Sequence, residues 1–171
     1  MIMSVASPDN PFWRFSLAFY RAPGVADACI ALQDQAGVDV NVLLFLLWSA
    51  TLNRTLPPAA IADLDRAIGA WRDAAVIPLR SLRRALKAPP PVVAPGAAEA
   101  FRTRVKGVEL EAERLQQQTM YELAPSLPFA PAASPAEAAR ANVAAYAAAM
   151  SRAFPPASVE TILRALARIS T

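Results

Sequence analysis

Nine consecutive residues, Val40 to Trp48, are apolar except for one amide, Asn41. A helix that is apolar on every side must be buried on every side, in a protein core or in lipid. A membrane span needs roughly 18 or more such residues in a row. Asp39 stops this run at one end, and Ser49, Thr51, Asn53 and Arg54 stop it at the other. The segment therefore reads as the central helix of a water-soluble core, with other helices packed around it.

The rest of the chain offers little but helix. The hydrophobic fraction is 55%, much of it alanine concentrated between Ala130 and Ala149, and alanine favours helix more than any other residue. No stretch alternates apolar and polar residues as a half-buried strand would. The fold class is all-α: a single compact bundle of about six to seven helices around a buried central one.

Local signals place the helices. Asn10-Pro11 pairs a capping amide with proline at the first helical position. The helix it opens carries aromatics around most of its surface and halts near Pro23-Gly24. A second helix spans about Val25 to Gln35, with Val25, Ala28, Cys29 and Leu32 on one face and Gly37 set for a left-handed C-terminal cap. Asp39 caps the central helix, which ends near Leu52. Ile61, Leu64, Ile68, Trp71 and Ala75 form the stripe of a fourth helix, and Pro78 predicts a kink in its continuation. Beyond the kink, Leu79, Leu82 and Leu86 should face inward and the neighbouring arginines outward.

Residues 88–96, with Pro89, Pro90, Pro91, Pro95 and Gly96, read as a non-helical linker. A fifth helix follows, about Ala97 to Leu123, with Phe101, Val105, Val108, Ala112, Leu115 and Thr119 as its packing seam. Ser134-Pro135-Ala136-Glu137 is a capping box for an alanine-rich sixth helix. A last helix begins at Ser158, with Ile162, Leu163, Leu166 and Ile169 as its buried face. The expected organisation is a disordered segment at 1–9 and one helical domain at 10–171, comprising a core at 10–87, the linker at 88–96 and a helical C-terminal part at 97–171.

Function is less legible. The chain has no histidine, which removes the usual acid/base group near neutral pH and the commonest metal ligand. One cysteine, Cys29, permits neither an internal disulfide nor a thiolate metal site, and on an apolar face it reads as a small core residue. No catalytic residue, cofactor or metal site is expected. Residues 1–9 show no basic and then apolar leader pattern, so the cytoplasm is the expected compartment.

Two clusters are candidate sites. Arg80, Arg83, Arg84 and Lys87 lie in a region, Arg72 to Lys106, where eight basic residues face two acidic ones, although net charge is only +3. They form a possible docking patch for an acidic protein surface, or simply a solvated helix end favoured by the helix dipole. Nucleic acid is disfavoured, because no aromatic lies between Trp71 and Phe101 to stack on bases. The second cluster is a possible pocket formed by Asn41 and Trp48 with Glu109 and Glu113. A buried Asn41 needs a hydrogen-bond partner, either a ligand or a backbone turn. Lys106, Glu109, Glu113 and Gln116 share one stripe of the fifth helix. Two carboxylates one turn apart can serve a metal or acid/base role, but the stripe reads first as a solvated, partly salt-bridged face.

Several segments together resemble a known family. Asn10-Pro11-Phe12-Trp13-Arg14-Phe15-Ser16-Leu17, Gly37-Val38-Asp39-Val40-Asn41, Leu47-Trp48, Pro78-Leu79-Arg80 and Leu82-Arg83-Arg84-Ala85-Leu86-Lys87 occur in that order. The pattern, over about residues 10 to 120, is similar to a proteobacterial family of small conserved hypothetical proteins with a domain of unknown function. The resemblance implies a small bacterial helical protein and brings no activity, cofactor or catalytic residue. The expected role is a non-catalytic protein-interaction or adaptor protein of unknown oligomeric state. The alternative is a small-molecule-binding helical protein or enzyme with a pocket beside the central helix. A deep pocket into which Asn41 and at least one charged residue converge would favour the alternative.

Overall fold

The computed structural model describes residues 10–169; the segment 1–9, expected to be disordered, lies outside the described residues. The helices are α1 (Pro11–Tyr20), α2 (Val25–Ala36), α3 (Val40–Thr51), α4 (Pro58–Trp71), α5 (Ile77–Ala85), α6 (Pro95–Leu123), α7 (Pro135–Met150) and α8 (Pro156–Ile169). A π-helical turn, Arg72–Val76, joins α4 to α5 without a break, so the described residues form seven helical rods. No described helix is long and apolar enough to cross a membrane.

The local start signals hold. The Asn10 side chain accepts from the amides of Phe12 (2.9 Å) and Trp13 (3.2 Å), and Asp39 accepts from the Asn41 amide. The Ser134 hydroxyl caps Glu137, and Gly37 closes α2 at φ 71°. Pro78 imposes its distortion one turn early. A proline ring collides with the carbonyl four residues back and supplies no amide hydrogen. Widening residues 72–76 to a π turn, with the Ile77 amide on the Arg72 carbonyl, absorbs both defects.

Helix α3 is the axis of the bundle, with Val42 through Leu47 all buried. The alanine-rich α7 packs on α3 and α4, and α8 packs on α2. Small side chains let the α7 backbone approach α3 closely, while Asn142, fully buried, ties it to the chain beyond. Asn142 donates to the Leu46 and Arg54 carbonyls and accepts from the Leu56 amide, all within 3.0 Å. The hydrophobic core is thus not confined to 10–87: it runs from Phe12 to Leu166 and includes Met120, Ala138, Val143, Tyr146 and Ile162.

The all-α class holds: the two-residue strands β1 (Arg54–Thr55) and β2 (Ala130–Pro131) pair antiparallel, a contact too short to leave an alternating pattern. Other expectations need correction. Pro95 and Gly96 belong to α6 rather than to the linker, because proline at a helix start loses no hydrogen bond. Trp71, Leu82 and Ile169 are exposed rather than buried. The largest correction is the register of α6. Phe101, Val108, Leu115 and Thr119 face outward, while Val105, Glu109, Ala112, Gln116, Gln117 and Met120 are buried. The polar stripe turns inward because Glu109 meets Arg80 and Arg83, and the Gln116 and Gln117 amide nitrogens find acceptors on Asp39 and Asn41.

Candidate functional site

Between α1, α2, the first turns of α3, α5 and α6 lies an open cleft of about 740 Å³. Its base is polar and buried: Ser16 from α1, Asn41 from α3 and Gln117 from α6. Trp13, Leu17 and Leu44 supply apolar wall, and the charged residues of α5 and α6 line the side facing them.

Helix α6 meets the start of α3 through consecutive glutamines. Gln116 donates to the Asp39 carboxylate and Gln117 to the Asn41 side-chain oxygen, each at 2.8 Å. The next residue, Gln118, accepts from the Asn10 side chain at 2.8 Å. Asn41 is therefore satisfied by a partner on another helix, not by the backbone turn that its position suggested. Two atoms at the cleft base have no partner: the Ser16 Oγ and the Gln117 Oε1, on residues 3% and 2% exposed. A buried polar atom without a hydrogen bond costs about 1–3 kcal/mol.

Above the base, Glu109 accepts from both Arg80 (3.2 Å) and Arg83, while Arg80 also reaches Glu113 (2.6 Å) and Gln33 (2.7 Å). Burial raises the Glu109 pKa, but hydrogen bonding and charge from Arg83 and Arg80 outweigh it and hold the group below its ordinary value. Glu113 goes the other way. Burial, with Glu109 and Asp39 nearby, pushes it above the usual range against the pull of Arg80.

The two sets of sequence candidates thus converge. Asn41, Glu109, Glu113, Arg80, Arg83, Arg84 and Lys87 all line one cleft. Trp48 does not: it packs on Phe12, Phe45 and Tyr121 in an aromatic cluster elsewhere. The expected outward placement of the arginines needs correction, since Arg80 and Arg83 turn toward α6 and their ion pairs are mostly shielded from solvent. Arg84 is half-exposed and pairs with Asp34 at 3.4 Å, and Lys87 is exposed. The stripe read as a solvated face is also corrected at Glu109 and Gln116, which are buried. Ser16, Trp13, Tyr20 and Gln117 were not singled out from sequence. The Gln116-Gln117-Gln118 run was the one available signal, since three consecutive amides cannot all face solvent on one side of a helix.

A second, smaller cleft of about 430 Å³ lies across Arg80 and Gln33, with Asp39, Asp65, Arg72 and Tyr146 in its lining. Arg72 bridges Asp65 (2.6 Å) and Asp39 (3.2 Å), and the Tyr146 hydroxyl accepts from the Asp39 amide. Among the described residues no group of three or more His, Cys, Asp or Glu is arranged to hold a metal ion. Cys29 is buried, and burial pushes its thiol up to about 12.

Residues 11–120 match the family model described as "Protein of unknown function (DUF2390)". No curated protein and no solved structure matches the chain. The matched segment contains every residue lining the larger cleft, from Trp13 to Gln117, and stops before α7.

Proposed function

We propose that this chain, which belongs to the DUF2390 family of proteins of unknown function, binds a small molecule in the cleft between α1, α3, α5 and α6. One observation carries the reading. At the base of a cleft of ligand size, the Ser16 hydroxyl and the Gln117 carbonyl oxygen are buried and unpaired beside Asn41. Native interiors leave few such groups, and a ligand that hydrogen-bonds both would repay their cost. The role is binding without catalysis, because the carboxylates and arginines in the cleft are committed to one another.

A thermal-shift screen against a metabolite library tests this, followed by Leu110→Trp. Leu110 lines the cleft and is exposed, so an indole there narrows the opening without disturbing the core. Stabilising compounds should lose their effect on the variant, whose own melting temperature stays unchanged. Hits that act equally on both proteins would refute the cleft as the site.

A second reading keeps an interaction role, with Arg80, Arg83, Arg84 and Lys87 docking an acidic protein surface. Its support is the exposure of Lys87 and the partial exposure of Arg84. Against it, Arg80 and Arg83 already have carboxylates.

A further inference from the structure

We propose that the ligand of the larger cleft is a small organic anion, with its charge at the cleft rim and a hydrogen-bonding group at the base. This rests on the small-molecule reading above and names its class. The charges lining the cleft do not balance. Glu109 and Glu113 neutralise Arg80 and Arg83, and Asp34 pairs with Arg84. Those pairs consume every carboxylate in the lining. Three cations remain: Arg21 at the end of α1, Lys87 just beyond α5, and Lys106 on α6. All three are exposed, and among the described residues none has a carboxylate within ion-pair distance.

They come from three separate elements, yet converge on one opening. A positive rim above low-dielectric walls concentrates field lines and draws anions in. Deeper, Trp13, Leu17 and Leu44 favour an apolar or aromatic middle, and the base asks for hydrogen bonds. The Gln117 carbonyl oxygen needs a donor, and the Ser16 hydroxyl can give or take one. A hydroxylated or amino-bearing carboxylate or phosphate meets all three demands, whereas an inorganic anion meets only the first. A volume of about 740 Å³ seats a molecule of nucleotide size.

The test uses matched pairs: adenosine 5′-monophosphate with adenosine, glycerol 3-phosphate with glycerol, and 4-hydroxyphenylacetate with 4-hydroxyphenylethanol. An oligo-glutamate peptide is the macromolecular control. Binding is followed by calorimetry and by intrinsic tryptophan fluorescence, to which Trp13 at the cleft wall contributes beside Trp48 and Trp71. At least one charged member should saturate at one per chain while its neutral partner binds ten-fold or more weakly. The variant Arg21→Gln/Lys87→Gln/Lys106→Gln should keep its melting temperature, lose ten-fold or more of that affinity and lose most of the salt dependence. Neutral partners binding as tightly, or no charged member saturating, would overturn the anion class and leave the cleft reading standing. Binding that Leu110→Trp does not weaken would remove both. Tighter binding of oligo-glutamate than of any small anion would transfer the rim to an acidic protein partner and overturn the proposal.

Discussion

The Gln117 side-chain amide donates to the Asn41 side-chain oxygen at 2.8 Å, joining two buried polar residues 76 positions apart. This bond ties α6 to the first turn of α3, and with Gln116 on Asp39 it sets the rotation of α6 about its own axis. That rotation determines which charges the cleft receives.

Gln117→Leu should destabilise the protein by about 1–3 kcal/mol, because Asn41 is then left buried without a donor. Adding Asn41→Leu should recover part of that loss, since replacing both partners removes the orphaned group. Urea unfolding of the two single variants and the double gives the coupling. Strict additivity would mean the bond contributes nothing.

Asn142→Leu removes one amide that serves three backbone groups, in α3, in β1 and at Leu56 between β1 and α4. The expected cost is about 2–3 kcal/mol. For a chain of this size that lowers the melting temperature by roughly 4–12 °C, measurable by circular dichroism.

Arg80, Arg83 and Arg84 reversed together to glutamate should unfold or strongly destabilise the chain. Glu109, 5% exposed, would face new negative charges instead of its two arginines, and breaking a buried pair costs about 3–5 kcal/mol. Lys87→Glu, by contrast, should stay within about 0.5 kcal/mol of the parent. Equal melting temperatures for parent and triple variant would show that the arginines are a free surface patch.

Glu109 and Glu113 should give pH slopes of opposite sign. The Glu109 pKa is lowered on folding, so its contribution is present above the unfolded value and is lost as pH falls through the folded one. Glu109→Gln should cost about 3 kcal/mol at pH 7, a difference that shrinks in acid. The Glu113 pKa is raised, so the folded state takes up a proton first and gains stability as pH falls. Relative to the parent, Glu113→Gln should therefore become less favourable on acidification. Denaturation series between pH 7 and pH 3 separate the two.

Cys29 should resist thiol reagents at pH 8 in the folded protein, its thiol being buried and pushed up to about 12. Labelling should appear only with unfolding, at the rate that unfolding sets. Rapid labelling of native protein would place the thiol at the surface.

The helix starts could be read from the chain because each depends on neighbours in sequence. Asn10 before Pro11, Asp39 before the apolar run, and Ser134 before Pro135 cap amides within three residues of themselves. The burial of α3 was equally readable, since nine nearly unbroken apolar residues leave a helix no polar face to turn outward. The inward face of α6 was not. Its apolar seam of Phe101, Val108 and Leu115 and its polar stripe of Glu109, Gln116 and Gln117 each offered a helical face. Hydrophobic spacing chose the seam, but burial of a polar group turns on its partners, and those lie far away in sequence: Asp39, Asn41, Arg80 and Arg83. Arg80 and Arg83 likewise read as solvated until α6 brought Glu109 beside them. The sequence by itself determined which segments are helical and which helix is central, through short-range capping and period. The tertiary structure alone decided that polar residues from separate helices meet in one cleft, because hydrogen bonds and ion pairs form across space and leave no period in the chain.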